Sequence, residues 1–314
     1  MPLTRRAFLA SPALFGTPPA SPAAPTWMHE GDMPIARSEF SAVAIGSIIV
    51  MGGGFGAGAD VRSLDTATGD WSQLPDLPYP TNHAGFHVLG DDLIVCGGYT
   101  MDGTSAHDTV ATLAPKADHW ALEKALPRAM GAFGIAHWED DLFIAGGATE
   151  QLGGPPQEAV WRRSRTLPTW ESCPPLSTAR EHLPLIAVEG RLYAVGGRAA
   201  GQDELRIGAI AEVWDRSADS WQRLPDLPTP RSGLAGCSVP GGLVVAGGER
   251  STGIVAAVDY FDVARGQWSA LPDLPHPVHG AGLCWVDGVL HILGGSTVAG
   301  QAVSSVEVWA LQIA

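Results

Sequence analysis

The sequence predicts an all-β fold, a six-bladed β-propeller, and three observations support this. Glycine pairs recur six times, with their first residues 45 to 51 positions apart. Each pair ends an apolar run, and most repeats then place a tryptophan at a similar offset. A repeat of about 50 residues made of short strands is typical of a propeller blade. The pairs begin at Gly52, Gly97, Gly146, Gly196, Gly247 and Gly294.

Each repeat divides into four strands, named a to d in chain order. Strands a and b form a hairpin, and Gly or Asp supplies the left-handed backbone of its two-residue turn. The turns are predicted at 45–46, 90–91, 139–140, 189–190, 240–241 and 287–288. Asp91-Asp92 and Asp140-Asp141 are therefore interpreted as turn residues and not as metal ligands.

Strand b is apolar throughout, which predicts a central strand buried on both faces. Strand c is predicted at 61–65, 211–215 and 258–262, and strand d begins near a tryptophan. We expect these tryptophans to pack between blades. They are Trp71, Trp120, Trp170, Trp221 and Trp268.

The last repeat predicts how the ring closes. It ends in a strand at 305–313 and has no strand-d tryptophan. The missing strand is found at the other end, where Trp27, Met33-Pro34 and Arg37 match the segment from Trp221 to Arg231. We expect the N-terminal strand to pair beside 305–313, because closure removes a free sheet edge.

Composition restricts the partners. The 314-residue chain has a formal charge of −14, and its only lysines are Lys116 and Lys124. An acidic chain without a basic run is a poor nucleic-acid binder. No apolar run reaches the roughly 18 residues of a membrane span. We expect a monomer without a cofactor.

The four cysteines do not have zinc-site spacing, because no CxxC is present. Cys237 and Cys284 each stand ten residues before a glycine pair and are expected at matching places in neighbouring blades. Two alternatives are open, a disulfide and two buried free thiols, and the sequence favours the thiols because neighbouring blades diverge.

Residues 1–23 resemble a twin-arginine export signal. Thr4, Arg5-Arg6 and Phe8-Leu9 match its pattern, and Ser21-Pro22-Ala23 offers a small-x-small cleavage site. The resemblance implies a periplasmic or extracellular protein whose propeller occupies residues 24–314. The alternative is a basic leader that matches by chance.

The repeats resemble those of a six-bladed kelch propeller, over about residues 25 to 313. That fold is used by enzymes, sugar binders and protein-interaction modules, so the resemblance specifies the architecture and not the ligand. We expect an exported binding module for a protein, a glycan or a small anion.

The strand order assigns the loops to two faces. The b–c and d–a loops share one face, here called the loop face, and the short a–b and c–d turns share the turn face. Long, varied loops are where binding sites occur, so the loop face is the expected binding face. Its longest b–c loops are Gln151–Gln157 and Ala199–Arg206.

Arginines are prominent among the predicted loop-face residues. Arg37, Arg180 and Arg231 align in the d–a loops of blades 1, 4 and 5, and Arg128, Arg198 and Arg250 are expected nearby. Arginine suits bidentate capture of a carboxylate or phosphate, so the set could form a positive funnel for an anion. The alternative is a structural role in bonding neighbouring loops. The ligand-binding candidates are Arg37, Glu39, His83, Arg180, Glu181, His182, Arg198, Arg231, Glu249 and His279.

The histidines of this set belong to blades 2, 4 and 6. We expect His83, His182 and His279 to be dispersed around the ring, which argues against one compact metal site. The simplest interpretation is three polar loop residues, and metal ligands or acid–base groups are the alternatives. Arg198 and Glu249 are expected in adjacent blades, where a simple ion pair is possible.

A second functional hypothesis is a sugar epimerase. The chain resembles periplasmic kelch mutarotases and epimerases of N-acetylneuraminate, which are expected to use a Glu and an Arg on the channel face. Glu249 in GGERSTG resembles the start of their Gly-Glu segment, but Val255 stands where the Arg is expected. Arg250 or Arg231 would have to substitute, which makes Glu249 and Arg250 the catalytic candidates.

A copper radical enzyme resembling galactose oxidase is excluded by the tyrosines. Of the four in the chain, Tyr193 falls in a predicted strand b and Tyr260 in a strand c. A Cys–Tyr pair with two histidines cannot then be placed at one channel mouth.

Overall fold

The computed structural model describes residues 25–151, 154–199, 203–300 and 302–313. The twin-arginine-like segment lies outside this part of the chain. The described residues form six four-stranded antiparallel sheets, which confirms the six-bladed propeller. Among them, no helix is both long enough and apolar enough to cross a bilayer.

The strands follow one another blade by blade. The chain begins with β1 (Met28–Arg37). Blade 1 contains β2 (Ser41–Ile45), β3 (Ile48–Gly52), β4 (Val61–Asp65) and β5 (Trp71–Leu74). Blade 2 contains β6 (Gly85–Leu89), β7 (Asp92–Cys96), β8 (Val110–Leu113) and β9 (Ala121–Leu122). Blade 3 contains β10 (Gly134–Trp138), β11 (Asp141–Ala145), β12 (Val160–Ser164) and β13 (Trp170–Cys173).

The second half repeats this order with two additions. Blade 4 contains β14 (Leu185–Val188), β15 (Arg191–Val195), the helix α1 (Glu204–Gly208), β16 (Ala211–Asp215) and β17 (Ser220–Arg223). Blade 5 contains β18 (Ala235–Val239), β19 (Gly242–Ala246), the hairpin β20 (Glu249–Arg250) and β21 (Gly253–Ile254), then β22 (Val258–Asp262) and β23 (Gln267–Leu271). Blade 6 contains β24 (Gly282–Val286), β25 (Val289–Leu293) and β26 (Ser305–Gln312).

The predicted strands and turns agree closely with this order. The three predicted c strands coincide with β4, β16 and β22. The a–b turns also lie where predicted, except that the first is at Gly46-Ser47, because Ile45 still pairs with Ile48. Asp91 and Asp140 lie in turns, as expected. The helix α1 was not predicted; its Ile207 forms a small buried cluster with Ile210 and Ala199.

The ring closes as the sequence predicts. Strand β1 pairs antiparallel with β26, so that Met28 lies opposite Ala310 and completes blade 6. The Trp27 indole N–H donates to the Pro272 carbonyl of blade 5 at 2.9 Å. Equivalent bonds join other neighbouring blades, from Trp120 to Pro75, from Trp221 to Pro174 and from Trp268 to Pro225. The tryptophans therefore link blades, as expected.

The apolar core lies between the blades. Six clusters of buried side chains each combine residues of two neighbouring blades, and together they occupy all six joints of the ring. Each blade thus buries both sheet faces, which explains why its strand b is apolar on both sides. Cys237 and Cys284 have free thiols, and burial raises the pKa of Cys284 to about 12.

Candidate functional site

A closed ring of backbone hydrogen bonds surrounds the channel on its loop side. One residue of each blade donates its N–H to the carbonyl of the equivalent residue in the preceding blade, at 2.8–3.0 Å. All six residues have φ between 53° and 61°. This site in each blade is called the ring position, and its members are Glu39, His83, Ala132, His182, Gly233 and Gly280.

The ring position brings three polar side chains together at the axis. Glu39, His83 and His182 each offer one potential ligand atom, and these atoms all lie within 4.8 Å of one another. The His83 and His182 ring centroids are 4.7 Å apart. The expectation that these histidines are dispersed was therefore wrong, because the innermost residues of different blades meet across a narrow channel.

His279 joins this group through Glu39. Its Nδ1 lies 2.8 Å from Glu39 Oε1, and its Nε2 lies 3.0 Å from the Val298 carbonyl. Since a carboxylate and a carbonyl both accept, both ring nitrogens of His279 donate and the ring is an imidazolium. Burial favours the neutral ring, but Glu39 and Glu249 outweigh it and raise the pKa of His279 to about 9.

The pKa of the Glu39 carboxyl moves the opposite way. Burial alone would raise this pKa, but His83 and His279 outweigh burial and hold it well below its usual value. The same competition occurs at Glu181, where His182 and Arg198 overcome burial and lower the pKa to about 2. Both carboxylates are therefore ionised at neutral pH.

Arg198 holds two carboxylates at the centre of the face. Its Nε donates to Glu181 Oε1 at 2.9 Å and its Nη1 to Glu249 Oε1 at 2.7 Å. The expected pairing of Arg198 with Glu249 is confirmed. The other Glu249 oxygen accepts the Gly300 N–H at 2.8 Å. We call the whole group the axial cluster; its members are Glu39, His83, Glu181, His182, Arg198, Glu249 and His279.

Three of the predicted ligand-binding arginines lie elsewhere. They are at most 1% exposed, and each forms an ion pair with an acid of its own blade. The pairs are Arg37–Asp60, Arg180–Glu212 and Arg231–Asp259, at 2.5, 2.5 and 2.9 Å. Each guanidinium also donates to the carbonyl of a glycine-pair residue, Gly53, Gly196 or Gly247. The structure thus favours the structural alternative for all three.

The remaining arginines do not supply a positive funnel at the axis. Arg128 donates to Gln157 at an exposed site, and Arg250 lies in the β20–β21 hairpin. Within the axial cluster, Arg198 and the His279 imidazolium are held by the carboxylates of Glu39, Glu181 and Glu249. The expected funnel for an anion is therefore corrected to a centre whose carboxylates already hold these cations.

The axial cluster borders a channel of about 410 Å³ lined by the a strands of all six blades. His87 and His137 lie in its wall with ring centroids 6.4 Å apart, and burial lowers the pKa of His87 to about 4. Sequence reasoning missed both histidines. Their alternate positions in strand a were the available signal, since one face of that strand lines the channel.

Asn82 was also missed, although it directly precedes His83. Its Oδ1 lies 2.6 Å from His83 Nδ1, and its Nδ2 donates to the Thr100 carbonyl at 3.2 Å. The side chain therefore fixes the orientation of the His83 ring. An amide next to a histidine in a d–a loop was the only sequence signal for this role.

Comparison with known proteins agrees with the architecture. A family model described as the Kelch motif matches residues 230–275. The solved structure of YjhT superposes with a TM-score of 0.77 and 15% identity, covering 88% of this chain and 95% of that one. At this identity the likeness establishes the fold alone.

Curated relatives with kelch names match over part of their length. Kelch-like protein 36 of Rattus norvegicus is 26% identical over 218 residues, covering 67% of this chain and 35% of the relative. Kelch-like protein 33 of Homo sapiens is 29% identical over 188 residues, covering 59% and 25%. Beta-scruin of Limulus polyphemus is 26% identical over 189 residues, covering 58% and 20%. The chain thus corresponds to about a third or less of these relatives.

Proposed function

We propose that this kelch-repeat propeller is a binding module that presents its loop face to a protein partner. Kelch-repeat propellers are typically protein-interaction modules. The observation that carries the proposal is an exposed apolar arc on that face, beside an axial cluster whose charges are already paired. A glycan or a small anion is the alternative ligand, and the pairing of Arg198 and His279 with carboxylates counts against an anion.

The apolar arc comes from the b–c loops of three consecutive blades. Met101 of blade 2 is 37% exposed, and Val298 and Val303 of blade 6 are 37% and 47% exposed. Phe55 of the intervening blade 1 is half-buried and contacts His83 edge-on, with ring centroids 5.9 Å apart. Apolar and aromatic side chains around a charged centre are typical of a protein interface.

The polar centre of the same face complements the arc. Arg198 is 36% exposed, whereas Glu181 and Glu249 are 11% and 7% exposed. A partner that approaches the axis therefore meets a guanidinium already oriented by two carboxylates. Preorganised arginines are favoured at interfaces because they lose little side-chain entropy on binding.

The loop face can be tested by differential capture. The purified chain and two variants serve as baits, and retained proteins are identified by mass spectrometry. We expect the double variant Met101→Glu, Val303→Glu to lose a partner that the wild type retains. Leu167→Glu is the matched control, because Leu167 is 64% exposed in a c–d turn on the opposite face. Loss of the partner with Leu167→Glu alone would place the interface on the turn face and overturn the proposal.

The second candidate function is sugar epimerisation. The observation that favours it is the placement of Glu249 beside Arg198, with His279 Nε2 at 3.7 Å from Glu249 Oε2. A carboxylate next to two cations could exchange a proton with an acid sugar. Both Glu249 oxygens are already bonded, so a substrate would have to displace Arg198 or Gly300.

The epimerase hypothesis has a direct test. Anomer exchange of sialic and uronic acids is followed by NMR with the wild type and with Glu249→Gln. An exchange rate above that of buffer, lost in the variant, supports the hypothesis. A rate equal to that of buffer, together with no thermal shift for any acid sugar, rejects it.

Export is a separate part of the proposal. Its support is the match of Thr4, Arg5-Arg6 and Phe8-Leu9 to a twin-arginine signal. Replacing Arg5-Arg6 with Lys-Lys should leave the chain in the cytoplasm, whereas a conservative Thr4→Ser change should not. Unchanged secretion of the Lys-Lys variant would refute the assignment.

A further inference from the structure

We propose that Glu39, His83 and His182 form a binding site for a divalent transition metal of the Zn²⁺ type, at the loop end of the channel. Two imidazoles and one carboxylate are a ligand set that Zn²⁺ commonly takes in proteins. The donor atoms lie within 4.8 Å of one another.

The contact between His83 and Glu39 is the first argument. His83 Nε2 lies 3.1 Å from Glu39 Oε2. Because His83 Nδ1 donates to Asn82 Oδ1, Nε2 is the ring atom that faces this carboxylate. A proton or a metal ion must lie between this nitrogen and this oxygen. A metal ion bound to both atoms would displace the Nε2 proton.

The tautomer of His83 is set by its neighbour. Asn82 Nδ2 donates to the Thr100 carbonyl, so the Asn82 side chain must turn its Oδ1 towards His83. Because Oδ1 only accepts, His83 Nδ1 carries the proton and Nε2 is left for a ligand. A ligating histidine that donates its other N–H to an oxygen is the usual outer-shell arrangement in metal sites.

Glu39 is oriented in the same manner. Its Oε1 accepts a hydrogen bond from the His279 imidazolium at 2.8 Å, which leaves Oε2 facing His83. The carboxylate is therefore fixed as a ligand through one oxygen. Gly280 provides the room, since a Cβ at that position would collide with the Glu39 carboxyl group.

His182 supplies an independent observation. The residue is 8% exposed, and its Nδ1 makes no hydrogen bond among the described residues but lies 3.5 Å from Glu181 Oε2. Its Nε2 lies 3.5 Å from Arg198 Nη2. Both contacts are longer than an ordinary hydrogen bond, so the buried ring lacks a strong partner.

The geometry and charge of the site suit a metal of this class. Ligand atoms of a tetrahedral zinc site are about 3.3 Å apart, given Zn–N distances of about 2.0–2.1 Å, and the 3.1 Å between His83 and Glu39 is close to this. All three residues line the channel, so the fourth position opens into it. The backbone ring holds the three donors on one rigid frame.

The test is a titration of the full chain after treatment with a chelator. Zn²⁺ binding is measured by calorimetry, and Co²⁺ is added as a spectroscopic probe whose visible absorption reports tetrahedral coordination. We expect one equivalent of Zn²⁺, a visible Co²⁺ spectrum, and much weaker binding of Mg²⁺ and Ca²⁺, which prefer oxygen ligands.

Three variants and one matched control locate the site. His83→Gln and His182→Gln should each weaken Zn²⁺ binding by about 100-fold or more, because one of three ligands is lost. Asn82→Ala should weaken binding by about 10–100-fold, since it releases the His83 ring. His137→Gln changes another channel-wall histidine outside the donor set and should bind Zn²⁺ like the wild type.

The outcomes separate the alternatives. Circular dichroism of the metal-free proteins confirms that each variant is folded before it is titrated. A wild type that binds no Zn²⁺ would overturn the proposal and leave a His83 imidazolium paired with Glu39. Equal Zn²⁺ binding by the wild type, His83→Gln and His182→Gln would also overturn it, by placing the metal elsewhere.

Discussion

Two aligned positions in the d–a loops, only two residues apart, direct their side chains to different places, one into the blade and one to the channel. The first, here called the anchor position, holds Arg37, Thr81, Met130, Arg180, Arg231 and Val278. Its side chains turn into the blade, and all six are buried. The ring position follows, and its side chains meet at the axis. A charged residue in a propeller loop is therefore a binding candidate only if its backbone directs it towards the channel.

Different residues at or near the anchor position hydrogen-bond equivalent pairs of buried carbonyls. In blade 5, Arg231 donates to the carbonyls of Gly247 and Ala257. In blade 2, where Thr81 replaces the arginine, the Tyr79 hydroxyl lies 3.1 Å and 3.2 Å from the equivalent carbonyls, Gly97 and Thr109. Both side chains donate to backbone carbonyls that the blade buries, so their role is structural.

The largest expected effect comes from breaking an anchor. Arg180→Met leaves Glu212 buried without its cation, and the loss of one partner of a buried ion pair costs about 3–5 kcal/mol. The free energy of unfolding in guanidinium chloride should fall by that amount. The double variant Arg180→Met, Glu212→Leu should recover much of the loss. A change below about 1 kcal/mol would show that the pair is not an anchor.

The next largest effect comes from crowding the ring position. Gly280→Ala and Gly233→Ala both place a side chain at positive φ, at a shared cost of about 1–2 kcal/mol. Only the Gly280 variant collides with the Glu39 carboxyl; a Cβ at Gly233 would lie 3.5 Å from His279 Cβ. Gly280→Ala should therefore lose about 1–3 kcal/mol more in urea unfolding. Equal losses of unfolding free energy in the two variants would mean that the Glu39 side chain can move away from the new Cβ.

The pH dependence of stability tests the charge of His279. Its folded-state pKa of about 9 lies above the ordinary 6.5, so its contribution is complete below about pH 6.5 and is lost as the pH rises through about 9. The contribution is on the order of 3 kcal/mol. Urea unfolding between pH 6 and pH 10 should show this loss in the wild type and not in His279→Gln. Parallel curves for the two proteins would contradict an imidazolium.

The two aligned positions of blade 3 predict effects of opposite sign, and the one at Ala132 is the smallest of the set. Met130, at the anchor position of blade 3, is fully buried, and Met130→Ala should cost about 2–5 kcal/mol through the cavity it leaves. Ala132, at the ring position, has φ of 56°, so Ala132→Gly relieves strain and should gain about 0.5 kcal/mol. Thermal unfolding measures both. A clear loss of stability with Ala132→Gly would indicate that the Ala132 methyl group makes stabilising contacts.

The fold was accessible from the sequence because its signals are local and repeated. Alternating strands, turn residues and glycine pairs recur in every blade, and the match of Trp27 to Trp221 was sufficient to predict the closing strand. In the structure, the bond from Trp27 to Pro272 repeats the tryptophan–proline bonds of other joints, in agreement with that match.

The site was less accessible because it depends on side-chain direction. Glu39 and His83 have a left-handed backbone conformation, which their residue types do not predict. The glycines at Gly233 and Gly280 in the same aligned column were the available clue. The buried acids that receive the anchor arginines also differ in their offset from the glycine pair, so the three ion pairs have no common spacing.

Thermal unfolding with and without Zn²⁺ tests the division between the two positions most directly. Metal-free Arg231→Met should unfold at a lower temperature than the wild type and should keep the Zn²⁺-induced rise in Tm. Metal-free His83→Gln should unfold close to the wild-type temperature and should lose that rise. The reverse pattern, an intact rise in His83→Gln and none in a folded Arg231→Met, would contradict the account.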